Sequence, residues 1–378
     1  MADKSNHELE KKLLILAANC TFTEDESIRF KELICSDLDW GYILINVLHN
    51  RIGCMLYSHI IENKCVSYIQ DRIYLILRSY YSYFKRRHIL TRNELNKLVC
   101  VLNDSEIPYV LLKGIALCDR AYPGEKIYYR ECGDFDFLIK ESDVSRFKKV
   151  IQEEGYALGD FDIYNGKLKK VSRHEELFLK LYSHQMHEYN KTYWEDELIG
   201  NRGSFTIDIN LSILEAGEND IDVEMLLKSR ERDDAGSYFA LCPEWFFIQI
   251  CVHLYRDIES KVHKAKYENV TLAKFCDVNE YLKNNYDKID WHRVQQLCDE
   301  NCIINDICEV LQFLYKLFHT NESKNVLKSF GLECNELFSE IDRKLYNAMF
   351  SNSYNRSSYT DNTYEFMQNE ISNIEVKE

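Results

Sequence analysis

Only three prolines and thirteen glycines interrupt the 378 residues of this chain. So few breakers leave little material for the tight turns of an all-β fold, and the chain is expected to be mostly helical. No apolar run reaches the roughly 18–20 residues that a membrane-spanning helix needs, so no membrane segment is expected. The amino terminus, MADKSNHELEKK, is polar and shows no secretory leader. Fourteen cysteines are present without a single CxxC pair. The closest spacing, Cys298 to Cys302, reads as one face of a helix rather than a zinc knuckle. Fourteen thiols without a leader indicate a reducing, cytoplasmic setting. Positive charge is also in deficit: 47 Lys and Arg against 62 Asp and Glu leave a net charge of −15. Proteins that grip long nucleic acid need a basic face, because phosphate neutralisation supplies most of their affinity. The short basic runs Lys85-Arg86-Arg87 and Lys167, Lys169, Lys170 read as solvated faces. Long DNA or RNA is therefore disfavoured as a partner, although a short RNA end is compatible. No GxGxxG, Walker A or GxSxG motif occurs.

A hydrophobic content of 46% supports a sizeable core. Residues 1–105 read as a helical region. Ser36 or Asp37 is expected to cap a helix through Trp40, Ile43, Leu44, Val47 and Leu48, and a long amphipathic stretch runs from about Tyr68 to Leu102. The period changes near residue 107. Ile107 to Leu112 is β-like, Ile115 to Tyr122 helical, and Asp134 to Ile139 a strand. A helix capped at Ser142 or Asp143 follows, and Gly155 stands where it should end. Residues 203–213 form a further strand, and residues 157–202 hold one or two more plus an insertion. The fold class expected is α+β: a small mixed-sheet core over residues 106–215, a C-terminal helical region over 216–350, and a polar tail over 351–378. The segments LDWGYILINVLHNRIG and IDWHRVQQLCDENCI echo each other as similar helix pairs.

The segment Gly133-Asp134-Phe135-Asp136-Phe137 carries the chemistry. Residues two apart on a strand share a face, so the phenylalanines face the core while both carboxylates face away. Two carboxylates about 7 Å apart repel unless a cation lies between them. Mg²⁺, which prefers oxygen ligands and is commonly held by one or two carboxylates plus substrate phosphates, suits such a pair. Alone, the pair is more often an edge strand with a wetted face. Its flanks shift that balance. Upstream, Lys113-Gly114 marks a strand-to-helix corner where a backbone can approach a phosphate and a lysine can add charge. Downstream, Asp208 sits among apolar neighbours, where a carboxylate is costly unless partnered. Beside the first pair it would complete a set able to hold two metal ions. His174, His184 and His187 read as loop histidines, and His253 as a satisfied core histidine.

The order Lys113-Gly114, Tyr122-Pro123, Arg130, Gly133-Asp134-Phe135-Asp136-Phe137-Leu138-Ile139, Gly155-Tyr156 and Ile207-Asp208-Ile209-Asn210 resembles the uncharacterised nucleotidyltransferase branch of the DNA polymerase β-like superfamily. The resemblance covers about residues 95–280. It extends loosely to Asp39-Trp40, His253, Asp277 and Asp290-Trp291. It implies that Asp134 and Asp136 bind Mg²⁺, two ions in all, and through it a nucleoside triphosphate, ATP by default. Asp208 would complete the metal site and favour loss of the acceptor hydroxyl's proton. Lys113 and Gly114 would face the phosphates, and Arg130 would lie near them or brace the strand through a salt bridge. The implied activity is transfer of a nucleoside monophosphate to a hydroxyl of a small-molecule or peptide or protein acceptor, releasing pyrophosphate. The alternative is a non-catalytic nucleotide-binding or interaction module. One departure stands out. Many superfamily members carry Gly-Ser or Gly-Gly at the corner, whereas this chain has Gly114-Ile115, which offers no hydroxyl.

Overall fold

The computed structural model describes residues 7–162, 165–171, 186–196, 201–214, 221–233, 237–260 and 270–350. His174 and His184 lie outside them, as does the expected tail over 351–378.

Among the described residues, five α-helices precede the first strand: α1 (Glu8–Ala17), α2 (Glu24–Ile34), α3 (Trp40–Asn50), α4 (Gly53–Glu62) and α5 (Asp71–Asp104). Spacing predicts a cap at Ser36 or Asp37 for α3. The cap is Asp39 instead, whose Oδ1 accepts from the Tyr42 N–H at 3.0 Å. Any of these residues can cap, and the one adjoining the first helical turn prevails. At 34 residues, α5 is about 50 Å long. Its C-terminal half is tied to the helix Ile115–Ala121 and the strand Tyr189–Asp196 by two neighbouring side chains. Arg92 Nη1 donates to Asp119 at 2.8 Å, and the Glu94 carboxylate receives Lys191 Nζ at 2.6 Å.

The central segment comprises β1 (Tyr109–Leu111), α6 (Ile115–Ala121), β2 (Asp134–Ile139), α7 (Val144–Glu153), β3 (Ala157–Leu158), β4 (Asp160–Asp162), β5 (Lys167–Lys169), β6 (Tyr189–Asp196) and β7 (Asn201–Asn210). Then come α8 (Val223–Lys228), β8 (Glu231–Arg232) and β9 (Phe239–Ala240). Among the described residues these strands form a seven-stranded mixed sheet in the order β3-β6-β7-β2-β1-β9-β8, with β4 and β5 paired separately. The fold is thus α+β. Two details differ from expectation. Among the described residues of 157–202 there are four strands and the start of β7 rather than one or two, and Glu231–Arg232 and Phe239–Ala240, expected within a helical stretch, extend the sheet. Strands of two or three residues are too short to show a period; pairing with a neighbour defines them, as Leu111 with Ala240 does.

Strand β2 occupies the middle of the sheet, antiparallel to β1 and parallel to β7. Its phenylalanines anchor it. Phe135 and Phe137 are fully buried, and Phe137 meets Tyr109 and Phe147 edge-on at centroid distances of 5.5 and 5.3 Å. Burying one such ring stabilises by about 1.5–3 kcal/mol, and each edge-to-face pair adds about 1 kcal/mol. Gly155, with φ 91°, follows the end of α7 and takes the left-handed conformation that glycine tolerates.

The C-terminal helices are α9 (Pro243–Glu259), α10 (Leu272–Asn285), α11 (Trp291–Glu300), α12 (Ile304–Phe318), α13 (Asn321–Ser329) and α14 (Glu340–Met349). The echo between the two sequence segments is a shared cap. Asp290 Oδ1 accepts from the Arg293 N–H at 3.0 Å as Asp39 does at α3, and Arg51 and Cys302 both take positive φ at the far ends. Cys302 therefore lies past α11 and shares no helical face with Cys298. Helix α10 packs on α6, and α9 on α10 and α12. The N- and C-terminal helices also meet: Asn50 Nδ2 donates to the Met349 carbonyl and Asn50 Oδ1 accepts from the Leu272 N–H, each at 2.9 Å. Both helical parts thereby wall a cleft over one face of the sheet.

Candidate active site

The parallel pairing of β2 with β7 places Asp136 directly beside Asp208, with Asp134 beside Thr206. Neighbouring strands lie about 4.8 Å apart, and side chains at paired positions share a face. Asp136 is only 5% exposed, whereas Asp134 opens to solvent at the strand's start. A wetted edge strand does not describe this arrangement, because β2 is central. Just before β6, one residue beyond the Tyr189↔Ile207 pair, Glu188 comes next to Asp208 and extends the carboxylate row.

Charge in this row is poorly compensated. Although Asp134 keeps an open edge, the protein packed around it, then the neighbouring Asp136, raises its carboxyl above the usual range, against the pull of Arg87 and Lys113. Burial, then Asp136, Glu188 and Asp134, raises Asp208 well above that range. Lys113 is the cation closest in. Its Nζ lies 3.0 Å from Asp136 Oδ1. Burial disfavours its charge, but Asp136, Asp257 and Asp208 outweigh that and hold its pKa above the ordinary value.

Lys113 also reaches His253 Nε2 at 3.2 Å. His253 is no isolated core histidine: it faces the cleft from α9. Burial chiefly pushes its pKa down to about 3, so the ring is neutral. An ammonium only donates, so Nε2 accepts and the ring proton lies on Nδ1. Asp257 Oδ2, 3.4 Å from His253 Nε2, receives Lys274 Nζ at 2.7 Å.

Gly114 turns the corner with φ +60°, and a Cβ there would lie 2.5 Å from the Asp134 carbonyl oxygen. A side chain at the corner would thus push β2 away. Helix α6 beyond it spans seven residues and starts at the buried Ile115, so the corner presents no hydroxyl.

Arg130 braces rather than floats. Its Nε donates to Asp277 Oδ1 and Oδ2 at 2.9 and 3.0 Å, and Tyr122 OH donates to the same Oδ1 at 2.7 Å. Its Nη1 approaches the Glu131 carbonyl at 3.3 Å.

Arg87 departs from its solvated reading. Its guanidinium packs over Gly133, where an added Cβ would lie 2.2 Å from Nη2, and its charge acts on Asp134. A signal for this exists in the sequence. Tyr80, Phe84 and Arg87 recur at helical spacing on one face of α5, and Tyr80 itself donates to Glu131 beside the site. His187 lies 3.6 Å from Asp160 and joins no histidine cluster among the described residues.

A cleft of about 220 Å³ opens over the carboxylate row. Asp134, Asp136, Asp208, Lys113 and Gly114 form its floor, Arg51, Met55 and Arg130 one wall, and His253, Thr271, Ala273 and Lys274 of the C-terminal helices another. All six residues singled out from the sequence meet there. Among the described residues, no three His, Cys, Asp or Glu side chains are already drawn in to the spacing of a bound ion. The donor set nevertheless fits a hard divalent cation: oxygen ligands on paired strands, burial, and carboxylate charge that one lysine does not balance.

A family profile described as uncharacterised nucleotidyltransferase matches residues 36–319. The chain belongs to that family. The match takes in α3 through α12, and so includes every side chain of the cleft floor and both walls. Nucleotidyl transfer is therefore the general activity of the fold described above, with a nucleoside triphosphate as donor. No curated protein and no solved structure matches the chain. Among the described residues no helix is long and apolar enough to cross a membrane.

Proposed function

We propose that this nucleotidyltransferase moves a nucleoside monophosphate from a triphosphate, ATP by default, to a hydroxyl of a small-molecule or peptide or protein acceptor, in the manner of the polymerase β-like enzymes. The observation that carries this reading is the side-by-side register of Asp136 and Asp208 on parallel strands, with Asp134 two residues away on the same strand. Asp134 and Asp136 would hold Mg²⁺, and Asp208 would complete a two-ion site. The metal, when bound, supplies Lewis acidity toward the phosphates and neutralises developing charge.

The chain's own groups perform the rest. In the transfer, the acceptor oxygen forms a bond to the α-phosphorus as the bond from that phosphorus to the bridging oxygen breaks. The electron pair departs with pyrophosphate. Asp208, on the side of the row toward Glu188, favours loss of the acceptor proton. Lys113 is anchored by His253 and sits against Asp136, where it contributes a fixed positive charge to the phosphates. Gly114 lets the corner close against β2. Arg130, fixed by Asp277, presents charge from the wall.

Net acidity argues against a long nucleic-acid acceptor. The second reading, a non-catalytic nucleotide-binding or interaction module, draws on one observation: Lys113 already pairs with Asp136. Pyrophosphate release separates the two. Incubation with each triphosphate, Mg²⁺ and a metabolite or peptide pool should release pyrophosphate from wild type and none from Asp134→Ala/Asp136→Ala. Binding without turnover for every acceptor would favour the second reading.

A further inference from the structure

The corner that should grip a triphosphate is poorly equipped. Ile115 replaces a hydroxyl or a glycine, and α6 is too short to act as an anion-binding helix. The compensation lies across the cleft. Helix α10, fourteen residues long, begins at the cleft wall with Thr271 as its N-cap, followed by Ala273 and Lys274 in the first turn. A helix start offers backbone N–H groups outside intrahelical bonding and the positive end of the helix dipole. The Leu272 N–H is already taken by Asn50 Oδ1 at 2.9 Å, and the next amide belongs to Ala273, a residue of the cleft lining.

A second observation singles out this helix start. Thr271 is 2% exposed, yet its Oγ1 has no hydrogen-bond partner, and as N-cap residue it makes no side-chain capping bond. Buried hydroxyls are nearly always paired; this one is unpaired on a residue of the cleft lining, and a ligand oxygen reaching it would satisfy it. The cations around it agree in sign. Lys274 approaches from the same turn, held by Asp257 at 2.7 Å, and Arg130 lines the same cleft. Besides the floor carboxylates Asp134, Asp136 and Asp208, two further carboxylates line it: Asp277 is paired with Arg130, and Glu131 accepts from Tyr80.

We propose that the α10 N-terminus, with Thr271 Oγ1, the first-turn amides and Lys274, binds the two phosphates that leave as pyrophosphate, supplying from the C-terminal helices the hydroxyl that the Gly114-Ile115 corner lacks. This rests on the nucleotidyl-transfer reading for its role in the reaction, but the anion site is measurable without turnover. The ligand class is a polyphosphate: inorganic pyrophosphate or the terminal phosphates of a nucleotide.

The test is calorimetric titration of the full chain with pyrophosphate, a non-hydrolysable triphosphate and a nucleoside monophosphate, each with Mg²⁺. Thr271→Val keeps the shape and removes the hydroxyl. It should weaken pyrophosphate and triphosphate binding about tenfold, as loss of a hydrogen bond to a charged group does, and leave monophosphate binding unchanged. Thr271→Ser should restore wild-type affinity, and Lys274→Gln should weaken the same two ligands. The melting temperature of Thr271→Val should not fall, because the hydroxyl has no protein partner to lose. Equal pyrophosphate affinity in wild type and Thr271→Val would overturn the proposal, as would an equal loss for the monophosphate. Failure of the transfer reading shows separately, as absence of Asp136-dependent pyrophosphate release, and leaves the binding comparison intact.

Discussion

Asp136 and Asp208 lie side by side on the parallel strands β2 and β7, in the interior of the sheet. The sheet's ladder holds both carboxylates in place, so their mutual repulsion cannot be relieved by moving apart. Replacing one should therefore separate stability from activity. Asp208→Asn keeps the shape and removes one charge; among the described residues its side chain makes no salt bridge. In metal-free buffer it should raise the melting temperature by a few degrees, on the order of 1–2 kcal/mol of relieved repulsion, while cutting turnover at least about 100-fold. Thermal melts and a pyrophosphate assay on the same preparation check both halves. A less stable variant would contradict the electrostatic reading.

Lys113 is the cation that keeps the row tolerable. Lys113→Met should destabilise the metal-free protein by about 1–3 kcal/mol, since Asp136 loses its partner at 3.0 Å. Mg²⁺ should then raise the melting temperature of the variant by more than that of wild type, because the ion replaces the missing charge. Equal Mg²⁺ shifts in the two proteins would argue that the ion binds elsewhere.

Among the glycines with positive φ, Gly114 and Gly124 match in that angle. Both have φ near +60°, but a Cβ at Gly114 would meet the Asp134 carbonyl at 2.5 Å, while Gly124 has open space. Gly124→Ala should cost about 1 kcal/mol from backbone conformation alone. Gly114→Ala should cost more, by about 1–3 kcal/mol, and also impair nucleotide turnover. Urea denaturation of the two variants decides it: similar midpoints would mean the corner is not packed tightly against β2.

Much of this was legible in the sequence, for identifiable reasons. The alternation in Asp134-Phe135-Asp136-Phe137 defines a strand face by itself, and the apolar residues flanking Asp208 define another. The first strand therefore appears where its pattern places it, and the second runs over Asn201–Asn210 rather than 203–213. What the pattern omits is partnership. Nothing in the spacing says that β2 is central rather than an edge, that Arg87 turns back over Gly133, or that His253 reaches Lys113 from 140 residues away. The two-residue strands β3, β8 and β9 carry no period at all and exist through pairing. Thr271 gives no sequence signal beyond being an ordinary cap residue; its meaning comes from a hydroxyl left unpaired in a shared cleft.

Outside the cleft, His59 offers a pH test of the fold. Its Nε2–H donates to the Asn19 carbonyl at 2.7 Å, and burial is the main cause that pushes its pKa down from 6.5 to about 4. The folded chain thus resists protonation where the unfolded chain accepts it. Stability is fully present above pH 6.5 and falls as pH drops toward 4, by up to about 3 kcal/mol from this group. His59→Gln should flatten that part of the stability profile, measured by denaturant titration at pH 4.5 and 7. An unchanged slope would mean that His59 does not titrate as its burial implies.

Pyrophosphate and adduct formation, followed together by mass spectrometry, test nucleotidyl transfer at the Asp134, Asp136 and Asp208 floor most directly. Wild type, each triphosphate, Mg²⁺ and a pool of small-molecule and peptide acceptors should yield pyrophosphate and one acceptor heavier by a nucleoside monophosphate, with neither product from Asp134→Ala/Asp136→Ala. Equal product from wild type and that variant, or no product from wild type with any triphosphate and acceptor, would contradict it.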